Sequence, residues 1–208
     1  MPQCTISVWM RQVTSGDALC YTMTMREIEL KILDINVDEI RKKLLSLGAK
    51  EKPETLIIDE SFDFPDGRID TDHALFRLRQ YPDRTEICYK GGRSLERGFL
   101  AHDEYETTVG DAEIVRKILN ALGLISTRYR EKYRTTFVLD DVEIVIDTYP
   151  DISPFLEIEG EEEHIRRILE KLGYTMDQTV NMTAVGVFKR YGVNADMQKF
   201  KKQNNKIQ

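Results

Sequence analysis

Apolar and polar residues alternate along eight segments of the chain, a pattern that is typical of β-strands. The segments are Arg26–Leu33, Thr55–Phe64, Ala74–Gln80, Thr85–Lys90, His102–Val109, Tyr129–Val138, Val142–Thr148 and Phe155–Glu159. Turn-forming residues separate neighbouring segments, among them Pro65-Asp66-Gly67 and Gly91-Gly92. The pattern therefore predicts eight strands joined by short turns.

Three other segments show the helical period, with apolar residues three and four positions apart. These segments are Asn36–Leu47, Asp111–Leu122 and Glu161–Leu172, and a glycine follows each of them. Asn36 is a predicted N-cap, because its side chain can accept a hydrogen bond from the first turn. Eight strands with three helices predict an antiparallel α+β fold and not a doubly wound parallel sheet.

The two ends of the chain differ from this regular part. Residues 1–24 have no clear periodicity, so we expect the domain to begin at Met25 and the preceding stretch to be an extension. An additional edge strand from Cys4 to Met10 is the alternative. The predicted domain covers residues 25–193. Residues 194–208 are polar and rich in lysine, which predicts a frayed or disordered tail.

The polar positions of the predicted strands carry charges of both signs. Residues that share a face are Glu27, Glu29 and Lys31, Arg77 and Arg79, Glu104 and Glu106, Lys132 and Arg134, Glu143 and Asp147, and Glu157 and Glu159. A solvated face with cross-strand ion pairs accounts for any one of these strands alone. The apolar faces, however, are complete enough to pack against three amphipathic helices. Closing the sheet then places the charged face inside a barrel.

Overall composition limits the function classes. The net charge of -6 argues against general nucleic-acid binding through a basic surface. Three cysteines without a CxxC pair suit a reducing compartment. The sequence shows neither an apolar run of about 18 residues nor a secretory signal. We therefore expect a cytoplasmic protein that does not associate with membranes.

Charges enclosed in a barrel need partners, because desolvated charge is costly. Clustered arginine and lysine side chains suit phosphate oxygens. Clustered carboxylates suit hard divalent cations such as Mg²⁺ or Mn²⁺. A site that contains both groups is suited to a complex of a metal ion with a polyphosphate.

The order of these motifs resembles the CYTH superfamily, which includes class IV adenylate cyclases, thiamine triphosphatases and inorganic triphosphatases. Glu27-Ile28-Glu29-Leu30-Lys31 reads ExExK, the signature of that superfamily. It is followed by FDFPDGRI, ALFRLR, CYKG, DEYE, REKYR and IDTYPDISPFLEIEG, which are similar to the later blocks of the family. The resemblance covers about residues 25–192 and implies a triphosphate tunnel, an eight-stranded antiparallel barrel flanked by helices.

The resemblance also implies residue roles. The expected metal ligands are Glu27, Glu29, Asp147, Glu157 and Glu159. The expected substrate-binding residues are Lys31, Arg77, Arg79, Lys90, Lys132 and Arg134, with Glu104 and Glu106 as further ligands or as partners of the basic side chains. The expected catalytic residues are Lys31, Lys90 and Glu157. His102 departs from the family, which often has a basic residue at this position, and Arg93 or Arg97 are its candidate substitutes.

The expected reaction is that of a class IV adenylate cyclase, which converts ATP into cyclic AMP and pyrophosphate. Hydrolysis of inorganic, thiamine or nucleoside triphosphates is the first alternative, because the same lumen could serve either reaction. A non-catalytic module that binds polyphosphate or nucleotides is the second alternative. The expected partner is a small triphosphate such as ATP, thiamine triphosphate or tripolyphosphate, with no nucleic acid. Dimers are common among relatives, and no sequence feature here demands one.

Overall fold

The computed structural model describes residues 25–140 and 142–201, with backbone only for residues 25–27. The predicted extension 1–24 and the end of the tail lie outside the described residues. The strands are β1 (Met25–Ile32), β2 (Lys50–Glu51), β3 (Thr55–Asp63), β4 (Leu75–Gln80), β5 (Thr85–Glu96), β6 (Phe99–Val109), β7 (Ile125–Leu139), β8 (Val142–Thr148), β9 (Phe155–Glu159) and β10 (Met197–Gln198). The helices are α1 (Val37–Ser46), α2 (Arg68–Thr71), α3 (Ala112–Ala121), α4 (Glu162–Leu172) and α5 (Ala184–Arg190), with a 3₁₀ turn at Met176–Gln178.

Eight of these strands form a closed antiparallel barrel. The strand order is β1, β6, β5, β4, β3, β7, β8 and β9, and β9 pairs with β1 again. The two-residue strands β2 and β10 both pair with β7 outside this cycle. The predicted α+β fold, an eight-stranded antiparallel barrel flanked by helices, is therefore confirmed.

The apolar faces of the strands point outward and pack against the helices. Ile40 and Leu44 of α1 and Ile165 and Leu169 of α4 share one core with the outer residues of β1, β8 and β9. Helix α3 covers the outer faces of β3 and β4 in a second cluster around Leu119. Because helices cover the apolar faces, the alternating charged positions are left to face the lumen.

The three long helices confirm the predicted segments to within about one residue at each end. The side chain of Asn36 accepts a hydrogen bond from the backbone N–H of Glu39, and Asp111 caps α3 in the same way. The helices α2 and α5 were not predicted. They have four and seven residues, which is too short for a helical period to stand out from the sequence.

The predicted turn at Gly91-Gly92 is wrong, because β5 continues through both glycines to Glu96. The β5–β6 register shifts between Gly91 and Ser94, so the glycines form a β-bulge within the strand. Gly92 has φ 59°, and a Cβ atom there would lie 2.9 Å from Oδ2 of Asp103. Glycine is needed here for the bulge and for this close approach.

The frayed tail is also wrong for residues 194–201. Met197 and Gln198 form β10, which runs parallel to β7 beside Tyr129 and Arg130. Strand β7 has 15 residues, and β8 pairs only with its part from Tyr133 onward. The remaining edge of β7 would be unpaired, and β10 supplies its hydrogen bonds.

Candidate functional site

The barrel encloses a cavity of about 1140 Å³ that is lined by ten basic and ten acidic residues. The structure places nearly all the predicted site residues in this lining: Glu29, Lys31, Arg77, Arg79, Lys90, Glu104, Glu106, Lys132, Arg134, Asp147, Glu157 and Glu159. Glu27 lies on β1 opposite His102, and its side chain is outside the described part of the structure. Period-2 alternation on eight strands thus converges on one enclosed volume.

Lys31 lies at the centre of one acidic group. Its Nζ atom bonds to Glu29 and lies 2.8 Å from Oε2 of Glu157. Burial alone would lower the pKa of Lys31, but the charges of Glu157 and Glu29 outweigh burial and raise it. Burial would raise the pKa of Glu157, yet the attraction of Lys31 and Arg134 lowers it to about 2. Both side chains are therefore ionised at neutral pH.

Asp147 holds two basic residues of β7. Nε and Nη2 of Arg134 bond to its two carboxylate oxygens at 2.6 and 2.7 Å, and Nζ of Lys132 bonds at 2.8 Å. Burial, with repulsion from Arg134, lowers the pKa of Lys132 to about 7 despite the attraction of Asp147. Lys132 thus holds its proton weakly, while Arg134 remains charged.

Sequence reasoning missed an ion pair on the other side of the lumen. Arg79 donates to both carboxylate oxygens of Asp59, at 2.7 and 3.0 Å. Both side chains are buried, and the two arginines Arg79 and Arg77 outweigh burial and lower the pKa of Asp59. Asp59 shares its strand face with Ile57 and Ser61, so no run of like charge marked it in the sequence.

Two arginines of β7, Arg128 and Arg130, also line the cavity and were missed. They continue the alternation of Lys132 and Arg134 toward the start of the strand. Arg128 was missed because the predicted strand began at Tyr129. Arg130 lies within the predicted strand on the face of Lys132 and Arg134, so its alternation was visible in the sequence. The additional residues lengthen the basic surface toward the end of the barrel that α5 covers.

A row of three glutamates crosses the sheet at the other end of the lumen. Glu29, Glu159 and Glu143 lie opposite one another on β1, β9 and β8, and all three line the cavity. Like charges directly opposite each other are destabilising on their own. Carboxylate oxygens are the ligand type that a hard divalent cation such as Mg²⁺ or Mn²⁺ prefers. Among the described residues, however, only the ligand atoms of Cys88, Glu104 and Glu106 come within 4.8 Å of one another, so the three glutamates would have to draw closer to share one ion. Glu143 was not among the expected ligands.

A mixed group lies on β5 and β6. Ligand atoms of Cys88, Glu104 and Glu106 lie within 4.8 Å of one another. Nζ of Lys90 is 3.0 Å from Oε2 of Glu104 and 3.0 Å from Nε2 of His102. The acids here already bind a cation, and burial raises the pKa of Cys88 to about 12. This group therefore suits a positioning role for Lys90 more than a second metal ion.

The candidate substitutes for the basic residue at His102 lie apart from each other. Arg93 lines the cavity, whereas Arg97 is exposed and pairs with Glu162 on the outside. His102 itself is buried beside Lys90. Arg93, which lies within the β5 bulge, is thus the one that reaches the lumen.

One end of the barrel is covered by the segment around α5. Thr183, Ala184, Val185 and Gly186 line the cavity, and the preceding Val180 bonds to the backbone of Lys31. Phe188 is fully buried and packs edge-on against Tyr149 at 5.1 Å between ring centroids. The lumen is therefore shielded at the end that the α5 segment covers. Among the described residues, the helices are all too short or too polar to cross a lipid bilayer.

Residues 25–180 match the sequence profile of the CYTH domain, and the chain therefore belongs to the CYTH family. The resemblance seen in the motifs is thereby confirmed. The match covers the complete barrel from β1 to β9 and ends before α5.

Several similar proteins are named as cyclases. A candidate adenylate cyclase of Methanocaldococcus jannaschii is 28% identical over 136 residues, 65% of this chain and 77% of the relative. The solved structure of a candidate adenylate cyclase from Vibrio parahaemolyticus has a TM-score of 0.69 at 16% identity, covering 78% of this chain and 97% of that chain. A candidate adenylyl cyclase from Hippeastrum is described as having a dominant triphosphatase activity. Its solved structure has a TM-score of 0.53 at 15% identity, covering 86% of this chain and 93% of that chain. At such identities, the solved structures support the fold alone.

Proposed function

We propose that this protein is a divalent-metal-dependent enzyme that hydrolyses a triphosphate compound inside the barrel. The observation that carries the proposal is the set of ion pairs at the centre of the lumen, where each basic side chain is paired with a carboxylate. Lys31 holds Glu157, and Arg134 and Lys132 hold Asp147. A metal–triphosphate complex carries both signs of charge. Its phosphate oxygens can bind the basic side chains while its metal ion binds the carboxylates. Each buried charge then keeps a partner of opposite sign.

The acidic residues would hold Mg²⁺ or Mn²⁺. Glu29, Glu159, Glu157 and Asp147 are the ligands that we propose, with Glu27 from the sequence pattern and Glu143 as an addition from the structure. When bound, such an ion supplies Lewis acidity and neutralises charge on phosphate oxygens.

The basic residues bind and orient the phosphates. Lys31, Lys132 and Arg134 surround the centre of the lumen, and Arg77, Arg79 and Lys90 extend this surface across β4 and β5. In hydrolysis, the oxygen of a water molecule bonds to the terminal phosphorus while the bridging P–O bond breaks. The water loses a proton to form orthophosphate, and the diphosphate part of the substrate leaves. The cations stabilise the charge that develops on the leaving oxygen. The cover formed by α5 limits access of bulk water from that end.

The lining favours hydrolysis over cyclisation of ATP. Of the aromatic residues that line the described cavity, Tyr149 is stacked on Phe155 and Tyr81 lies beneath the guanidinium of Arg84. Tyr149 is buried and Arg84 covers one face of Tyr81, so at most the second face of Tyr81 is left to stack on an adenine base. A cyclase remains the second candidate, because the Methanocaldococcus jannaschii relative carries that name. In that reaction the ribose 3′-hydroxyl attacks the α-phosphorus and pyrophosphate leaves.

Product analysis tests the proposal. We expect release of orthophosphate when the protein is incubated with Mg²⁺ or Mn²⁺ and tripolyphosphate, thiamine triphosphate or ATP. Glu157→Gln should lower the metal-dependent rate about 100-fold or more, because one ligand and one charge are lost. We expect its folding to be affected less. Glu163→Gln on α4 is the matched control, since Glu163 is exposed and remote from the lumen.

Two results would contradict hydrolysis. Cyclic AMP with pyrophosphate as the products from ATP would establish the cyclase instead. Tight triphosphate binding without turnover of any of the three compounds would identify a non-catalytic binding module.

A further inference from the structure

Unpartnered buried donors are concentrated on one side of the lumen. Among the described residues, seven buried side-chain atoms have no hydrogen-bond partner, and five of them belong to Ser61, Arg77, Arg128 and Arg130. These residues lie on three neighbouring strands, β4, β3 and β7. Ser61 is opposite Arg77 on one side and Arg128 on the other. Buried donors are normally bonded, so such a concentration points to an absent acceptor.

Arg130 is the strongest member of this group. Its side chain is only 5% exposed, and its Nε and Nη1 atoms are both without a partner. Asp59 lies opposite Arg130 in the β3–β7 register, but Arg79 binds both oxygens of that carboxylate. Gln198 lies beside Arg130 on β10 and offers a neutral amide, which does not balance a buried charge.

Arg77 and Ser61 complete the group. Arg77 is 7% exposed, and its Nε atom is 3.8 Å from Oδ1 of Asp59, which is longer than a hydrogen bond. Ser61 is 1% exposed and its Oγ atom has no partner. Arg128 is different, because its Nη2 atom already pairs with Asp70 at 3.2 Å.

We propose that Ser61, Arg77 and Arg130 form a second anion subsite, which binds the fourth phosphate of a linear polyphosphate chain. This inference rests on the proposed function, in which the first three phosphates lie among Lys31, Lys132 and Arg134. A guanidinium with two free N–H groups suits two oxygens of one phosphate. Arg77 and Arg130 line the same cavity, and Ser61 is buried on β3 between the strands of the two arginines, so a chain that extends along the lumen can reach the two guanidinium groups. The preferred substrates are therefore chains of at least four phosphates.

Titration calorimetry with Mg²⁺ present tests the subsite on the full-length protein. We expect tetrapolyphosphate to bind at least about ten-fold more tightly than tripolyphosphate, because charged hydrogen bonds are gained. Arg130→Gln should reduce this ratio to about two-fold or less. Arg41→Gln is the matched control and should keep the ratio, since Arg41 pairs with Glu51 on the outer surface. Adenosine tetraphosphate in a parallel titration separates a requirement for four phosphates from a requirement for a bare chain end.

Equal affinity for the two chains in the wild-type protein would overturn the subsite, as would an unchanged ratio in Arg130→Gln. If that variant does not fold, Ser61→Ala serves as the second test and should lower the ratio at least about two-fold. Tight tetrapolyphosphate binding without hydrolysis would support the subsite and contradict the proposed reaction. Hydrolysis of tripolyphosphate without a chain-length preference would do the reverse. Failure of both compounds to bind would overturn both proposals.

Discussion

Single residues inside the barrel depend on their charged partners. Asp59 illustrates this, because both of its oxygens bond to Arg79 while the second arginine, Arg77, lies 3.8 Å away. Burying one charge alone costs several kcal/mol, so each member of such a pair stabilises the fold only while the other is present. The arginines that we propose to bind the substrate therefore have a structural role as well.

Asp59→Asn should destabilise the protein by about 3–5 kcal/mol at neutral pH, because it leaves the Arg79 charge buried without a carboxylate. Urea denaturation gives this free energy of unfolding. The pKa of Asp59 lies below its ordinary value of 3.8 in the folded state. Its stabilising contribution is thus present above that pH and is lost as the pH falls below it.

The pH dependence provides a second measurement of the same variant. Between neutral pH and pH 3 (about one unit below the ordinary value of an aspartate), Asp59→Asn should lose less stability than the wild type. An equal loss of stability in both proteins would show that Asp59 does not contribute to the fall in stability at acid pH. Asp72→Asn is a suitable control, because Asp72 is exposed outside the lumen.

At the scale of elements, long strands and short helices together define the lumen. The 15 residues of β7 contribute four lumen-facing basic positions, and β10 covers the edge that β8 does not reach. Helix α5 lies over the same end through a cluster of Tyr149, Phe155 and Phe188. Local signals for α5 and β10 are weak, so the barrel itself provides the surface on which they form.

Phe188→Ala should destabilise the protein by about 3–5 kcal/mol, because it removes a fully buried ring from the cluster beneath α5. Thermal unfolding followed by circular dichroism would show a lower Tm. Arg190→Ala in the same helix is the control, since Arg190 is exposed and should leave the Tm nearly unchanged. If the Tm of Phe188→Ala equalled that of the control, the packing of α5 against the barrel would not contribute to stability.

At the scale of the whole molecule, the lumen balances its own charges. Its lining has equal numbers of acidic and basic residues, while the chain as a whole carries a net charge of -6. A bare triphosphate would add only negative charge to this balance, and a bare metal ion only positive charge. The two ligands should therefore assist each other when they bind.

We predict that Mg²⁺ strengthens tripolyphosphate binding to the protein at least about ten-fold and that tripolyphosphate strengthens Mg²⁺ binding by the same factor. Calorimetric titrations of each ligand with and without the other measure this coupling, after correction for the Mg²⁺–tripolyphosphate complex in solution. Glu157→Gln should reduce the factor, and Glu163→Gln should not. Independent binding of the two ligands would contradict charge exchange in the lumen.

Much of this architecture could be predicted from local patterns. All eight barrel strands and the three long helices follow from periodicity, because each element hides an apolar face of its own. The charged positions of β1, β4 and β9 were visible for the same reason. Asp59 was not, since a lone acid between Ile57 and Ser61 resembles an ordinary surface position until its cross-strand partner is known.

The sequence by itself determined which residues alternate, where the long helices begin and end, and which family motifs the chain contains. These properties depend on neighbours along the chain. The tertiary structure alone decided which charges meet, that β5 continues through its glycines, and that the unpartnered donors of Ser61, Arg77 and Arg130 lie on three neighbouring strands. Such contacts arise from the register and closure of the strands, and residues far apart in sequence come together only when the barrel closes.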